Sequence, residues 1–250
     1  MTVVVAARGS AQEAIDRVVP ALVDELVASR ITAGDATLWG PEAEDEAGKR
    51  LGWTQAVTIS RPLVGEIAAL RDHFAEAGVT RIVLCGMGGS SLAPEVITRT
   101  AGVPLVVLDA TDPGQVRSAV EEGIESTAVV VSSKSGSTVE TDSQKRAFET
   151  AFRAAGIDPA ERMVVVTDPG SPMEEASRAA GYRVFLADPT VGGRYSALTA
   201  FGLVPSGLAG VDLDQLLDEA EAASLPLAVD SPSNPGLQLA AAIAGATPRR

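Results

Sequence analysis

The chain has 250 residues, and its 33 acidic against 20 basic side chains give a formal net charge of −13. With 46% apolar and 21% charged residues the composition is globular, and so acidic a chain excludes nucleic acid or an anionic membrane as the main partner, though not a phosphorylated metabolite held by a few N–H groups and a cation. The single Cys85 excludes an intrachain disulfide, and neither a basic, apolar leader nor an apolar run of about 18 residues is present, so a soluble, cytoplasmic protein is expected.

Residues 1–59 read as a helical segment. Ser10 and Glu13 stand at capping-box spacing, followed by an apolar stripe of Ile15, Val18, Val19, Leu22, Val23 and Leu26. Pro20 interrupts the stripe and predicts a kink or a later start. After an acidic stretch over 42–49, flanked by Trp39 and Trp53, an amphipathic helix is predicted over 60–77. Leu63, Ile67, Leu70 and Phe74 share its apolar face, and Gly78 stops it.

From residue 81 the pattern changes. Short runs rich in Val, Ile and Leu at 81–85, 105–108, 128–131, 163–167 and 183–186 lack polar alternation, as strands buried on both faces do. Helical stretches near 91–100, 113–122, 138–155 and 171–180 separate them. This alternation predicts an α/β fold, a doubly wound, flavodoxin-like five-stranded parallel sheet with an N-terminal helical segment. Beyond Gly192 the chain turns helical again, with Leu213, Leu216, Leu217 and Ala220 on one face. Residues 231–236 form a loop before an Ala-rich helix that runs toward Arg250. The expected divisions are 1–59, 60–210 and 211–250.

In such a sheet the ligand sits beyond the carboxyl ends of the strands, so the residues after each strand are the informative ones. After the first come Gly86-Met87-Gly88-Gly89-Ser90-Ser91, where glycines let the backbone approach a ligand at a helix start. With Asp109 after the second strand this imitates a dinucleotide fingerprint, and a nicotinamide-dependent oxidoreductase stays open as a reading. No Gly-Lys-Ser/Thr is present, which excludes that type of phosphate loop. The third strand ends in Ser132-Ser133-Lys134-Ser135-Gly136-Ser137-Thr138, then Glu140-Thr141. Several hydroxyls and one cation at a helix start are what a phosphate monoester needs. The ordinary alternative is a helix cap with solvated serines.

These stretches, with the later Gly192-Gly193-Arg194-Tyr195-Ser196, resemble the glucose-6-phosphate isomerase family and its first sugar isomerase (SIS) domain. The resemblance spans about 60–210. It implies interconversion of glucose 6-phosphate and fructose 6-phosphate through an enediolate, without metal or organic cofactor, in a homodimer. It implies that Gly89, Ser90, Ser133, Lys134, Ser135 and Thr138 hold the substrate phosphate, that Arg194 stabilises the enediolate, and that Glu140 orients a histidine. Where the family commonly carries an aromatic residue and more threonines, this chain has Ser135-Gly136-Ser137, which keeps a bifunctional phosphoglucose/phosphomannose isomerase and a non-catalytic sugar-phosphate-binding module open. The family's carboxylate base, in a second SIS domain, has no counterpart in this sequence, so the chain reads as an N-terminal part. The only histidine, His73, matches no family motif and reads as a polar-face helix residue, and Cys85 as a small core residue.

Overall fold

A computed structural model describes residues 3–246. In chain order the elements are helices α1 (Ser10–Asp24), α2 (Val27–Thr32), α3 (Glu44–Arg50), α4 (Ala56–Ser60) and α5 (Leu63–Glu76), strand β1 (Arg81–Gly86), α6 (Leu92–Ala101), β2 (Val106–Leu108), α7 (Pro113–Glu121), β3 (Thr127–Ser132), α8 (Val139–Ala154), β4 (Met163–Thr167), α9 (Pro172–Ala179), β5 (Arg183–Leu186), α10 (Ala200–Ala209), α11 (Leu213–Leu227) and α12 (Pro235–Gly245). The chain divides into a helical unit, made of its first 55 residues and residues from Gln215 onward, and an α/β unit, Ala56–Asp214. The expected run of the last helix to Arg250 falls partly outside the described residues.

In the α/β unit the strands form one parallel sheet in the order β2-β1-β3-β4-β5. This is the doubly wound, SIS-type α/β fold. The inner strands are valine-rich because both their faces are covered, and Val83, Val129, Val130, Val131, Val164 and Val165 are fully buried. On one face Val83, Val129, Val131 and Val165 pack against Ala119 of α7, Phe148 and Phe152 of α8 and Met173 of α9. The opposite face carries α10, which is buried along Ala200–Leu208 and packs on α5 and α6. The edge strands β2 and β5 are short and only partly buried, which limits the unpaired backbone they present.

In the helical unit α1 packs on α12 through Ile15, Val19 and Ala241, and Gly245 allows close approach to Ala14 and Val18. The expected capping box at Ser10 and Glu13 is not formed. Gly9, at φ +56°, is the cap residue, Ser10 is already helical, and Glu13 N donates to the Gly9 carbonyl. Pro20 lies within α1 on an exposed face, where water can meet the carbonyl it leaves unbonded. The 231–236 loop is ordered by Asn234, whose Oδ1 caps α12 and whose Nδ2 donates to the Leu227 and Val229 carbonyls.

Candidate functional site

Strand order places the topological switch between β1 and β3, because the chain leaves β1 toward β2 on one side and returns to β3 on the other. Gly86 and Ser132, the last residues of these strands, are paired in register. The two loops singled out in the sequence therefore emerge side by side. With a 3-10 turn over Gly193–Leu198 they enclose a crevice of about 460 Å³.

The first loop is held by close backbone packing. Gly88 adopts φ +57°, and a Cβ on Gly89 would stand 2.5 Å from the Gly193 carbonyl oxygen. Ser196 Oγ, from the third motif, donates to the Gly193 carbonyl at 2.8 Å. Gly89 thus serves backbone-to-backbone approach of this loop to the Gly192-Gly193 turn, whereas Gly88, with open space where a Cβ would stand, supplies the left-handed conformation.

The second loop is held from within and from behind. Ser133 is buried, and its Oγ accepts from Gly136 N at 3.2 Å and lies 3.1 Å from Thr138 Oγ1. Ser135 Oγ accepts from Ser137 N and Ser137 Oγ at 3.3 and 3.0 Å. Behind the loop, Thr167 Oγ1 donates to the Ser133 carbonyl at 2.7 Å, and Ser133 N donates to Val166 O. Gly136 sits at φ +68° with the Met173 Cβ 2.9 Å from where its own Cβ would be. This explains the glycine where the resemblance leads one to expect an aromatic residue: this turn lies against α9 and has no room for a side chain.

Helix caps separate these loops from the others. The helices after β2 and β4 are capped by their own side chains, Asp112 accepting from Gln115 N and Ser171 from Glu174 N. The helices after β1 and β3 have no side-chain cap: Ser91 Oγ donates instead to the Gly88 carbonyl, and Thr138 Oγ1 pairs with Ser133. At the switch point, therefore, first-turn N–H groups of α6 and α8 are left without a side-chain acceptor. That is the arrangement an anion needs.

Of the expected phosphate residues, Gly89, Ser90, Lys134, Ser135 and Thr138 line the crevice, whereas Ser133 does not and shapes the loop instead. Met87, Gly193, Ser196 and Phe201 complete the lining, which holds no carboxylate or imidazole. Arg194 is exposed and outside the lining, between Gly193 and Ser196, which belong to it. Glu140 is turned away, into a separate groove between α7 and α8 with Val116, Arg117 and Gln144. His73 lines another groove, with Arg178 and Arg183. Cys85 is fully buried, and burial pushes its thiol pKa up, which disfavours the thiolate. Among the described residues no cluster of His, Cys, Asp and Glu is arranged to hold a metal ion, and no helix is long and apolar enough to cross a membrane.

The sequence reading missed Asp168. Its Oδ2 accepts from Lys134 Nζ at 2.6 Å, so the cation of the phosphate loop is already paired. Asp168 directly follows β4, and the rule that drew attention to residues after each strand applies to it as well.

Fold and switch-point loops define an SIS-type α/β domain with a crevice between β1 and β3. The chain belongs to the phosphoglucose isomerase family, whose model matches residues 69–231. It is 36% identical over 174 residues to a glucose-6-phosphate isomerase of Cyanothece sp., covering 64% of this chain and 32% of the relative. It is 38% identical over 167 residues to the one of Citrifermentans bemidjiense, covering 63% and 31%. The chain thus spans about a third of the length of these curated relatives. A solved structure of a hypothetical protein of Thermus thermophilus superposes with a TM-score of 0.75 at 30% identity, over 92% of this chain and 53% of that one. A glucose-6-phosphate isomerase structure from Chlamydia trachomatis shares the fold at 24% identity and TM-score 0.66, over 93% of this chain and 48% of that one.

Proposed function

We propose that the crevice between β1 and β3 binds the phosphate of glucose 6-phosphate or fructose 6-phosphate, and that the chain is the phosphate-binding portion of an isomerase interconverting the two. The observation that carries this reading is the pair of helix starts without side-chain caps, with Gly89, Ser90, Ser135, Thr138 and Lys134 around one opening. Hydroxyls and N–H groups donate to the phosphate oxygens, and the helix starts oppose their charge. Arg194, exposed beside the lining residue Gly193, is the residue to which the family resemblance gives stabilisation of the enediolate. Glu140, in the α7–α8 groove, takes no part in holding the phosphate, and the orienting role that the resemblance gives it has no support from this crevice. Proton transfer between C2 and C1 needs a positioned base, and the crevice lining supplies none. In this reading residues 60–210 are the SIS domain, 1–59 its helical companion and 211–250 a connection to a second one, in a cytoplasmic homodimer.

The test is a ¹H–¹⁵N titration of the 250-residue chain with glucose 6-phosphate and, separately, glucose. Saturable shifts at Gly89, Ser90, Ser135 and Thr138 are expected with the phosphate and absent with glucose. Equal responses to both, or shifts centred on the α7–α8 groove, would sink the reading.

A further inference from the structure

We infer that Asp168 is a positioning residue that restrains the anion affinity of the crevice by keeping the charge of Lys134 paired, so that hydroxyls, N–H groups and the sugar rather than net charge decide what binds. The inference rests on the reading of the crevice as a phosphate site.

Three observations carry it. First, the pair is close and partly withdrawn from water, at 2.6 Å with side chains 26% and 18% exposed, so it is less screened than a surface pair. Second, Asp168 cannot follow Lys134 outward. It is next to Thr167, which is tied to the Ser133 carbonyl, and its own carbonyl accepts from Ser171 N at 3.3 Å. Third, the second carboxylate oxygen, Oδ1, is buried without a hydrogen-bond partner among the described residues, so the carboxylate depends on Lys134 for its compensation. If Lys134 left for a ligand, a buried carboxylate would be uncompensated, which is costly.

An incoming phosphate therefore shares Lys134 with Asp168. The ammonium has three donors, and one can stay on Asp168 while another reaches the ligand. The pair brings no net charge, and the remaining attraction comes from oriented dipoles. A bare cation would attract any small phosphate, including inorganic phosphate, and would tighten substrate and product alike. Such uniform binding does not speed the chemical step. Pairing the lysine leaves discrimination to the rest of the sugar phosphate.

Inorganic phosphate is the probe, titrated into the 250-residue chain at low and high ionic strength with Gly89 and Ser135 amide shifts as readout. The wild-type chain should bind weakly with little salt dependence. Asp168→Asn should bind about tenfold tighter at low salt, a difference of about 1.4 kcal/mol, and fall back toward wild type at high salt. Asp168→Glu, which retains the charge, should stay near wild type. A merely structural ion pair would lower stability in Asp168→Asn without steepening the salt dependence. Wild-type binding that Asp168→Asn does not tighten overturns the inference alone, as does a gain in Asp168→Glu equal to that in Asp168→Asn. Steep salt dependence in the wild-type chain overturns it without any variant. Absence of a saturable phosphate response in every variant overturns the site reading and this inference with it.

Discussion

Gly136→Ala isolates what the phosphate loop requires of its backbone. Gly136 adopts φ +68°, and an added Cβ would meet Met173 Cβ at 2.9 Å and both Met173 N and Ser171 Cβ at 3.0 Å. A left-handed conformation costs an L-residue roughly 1–2 kcal/mol, and overpacking a filled site costs typically about 1–3 kcal/mol more. Alanine recovers about 0.4–1 kcal/mol by restricting the unfolded chain, so the net loss should be about 1–4.5 kcal/mol. Gly102→Ala is the matched control, since Gly102 has φ +71° but no atom within 4 Å of the added Cβ. It carries the conformational penalty alone and should lose about 1 kcal/mol. Urea unfolding of the two variants measures the difference. Gly136→Ala should also lose at least about tenfold in glucose 6-phosphate affinity, because the turn carries Ser135 and the Gly136 N–H to Ser133 Oγ bond. Equal destabilisation in both variants would refute the claim that contact with α9 dictates this glycine.

Gly89→Ala should separate the first loop from the Gly193 turn, since its Cβ would lie 2.5 Å from a carbonyl oxygen that cannot move aside cheaply. A loss of about 1–3 kcal/mol in urea unfolding is expected, with weakened phosphate binding, and an unchanged crystal-structure distance between the two loops would contradict it. Glu149 carries a pH-dependent part of the stability. Burial raises its pKa, but hydrogen bonds from Lys145 at 2.6 Å and Tyr182 Oη at 2.7 Å, helped by Arg153, outweigh that and hold it below the usual carboxylate range. Its contribution is therefore full above the unfolded-state value of about 4.3 and is lost as pH falls through the lowered folded value. Glu149→Gln should cost stability at neutral pH and progressively less in acid, and a cost independent of pH between neutrality and acid would show that the pair is not the source.

The sheet was legible because strands covered on both faces need uninterrupted apolar runs, and the runs at 128–131 and 163–167 coincide with β3 and β4 to within a residue at each end. The helix α10 was read only as part of the helical stretch beyond Gly192, with no buried face assigned to it, although it contains Gly202, Pro205 and Gly207, residues that ordinarily interrupt a helix. Packing explains them in part: a Cβ on Gly207 would stand 2.6 Å from Ile67 Cγ2 of α5, so the glycine permits a close helix crossing. The capping box failed for a related reason. Its spacing was present, but Gly9 reaches a backbone conformation that places the helix start one residue earlier than a Ser10 cap requires.

At the site, composition identified the loops but not the role of each side chain. Ser133 and Ser135 are chemically equivalent in the sequence, yet one is buried as an acceptor for the loop's own N–H group and the other lines the crevice. Glu140 follows the same loop, yet the turn of α8 carries it to another face. The hydroxyl-rich stretch also suggested a helix cap, whereas the structure shows that α8 has no side-chain cap at all. That absence is informative only beside Asp112 and Ser171, which cap the helices after β2 and β4. Helices α1, α2, α3 and α5 also start without a side-chain cap, so the contrast holds only among the helices that follow strands of the sheet. The difference falls at the strand-order switch, where geometry brings two of them together, and it is this coincidence of topology and withheld caps, rather than the abundance of serine, that supports an anion site.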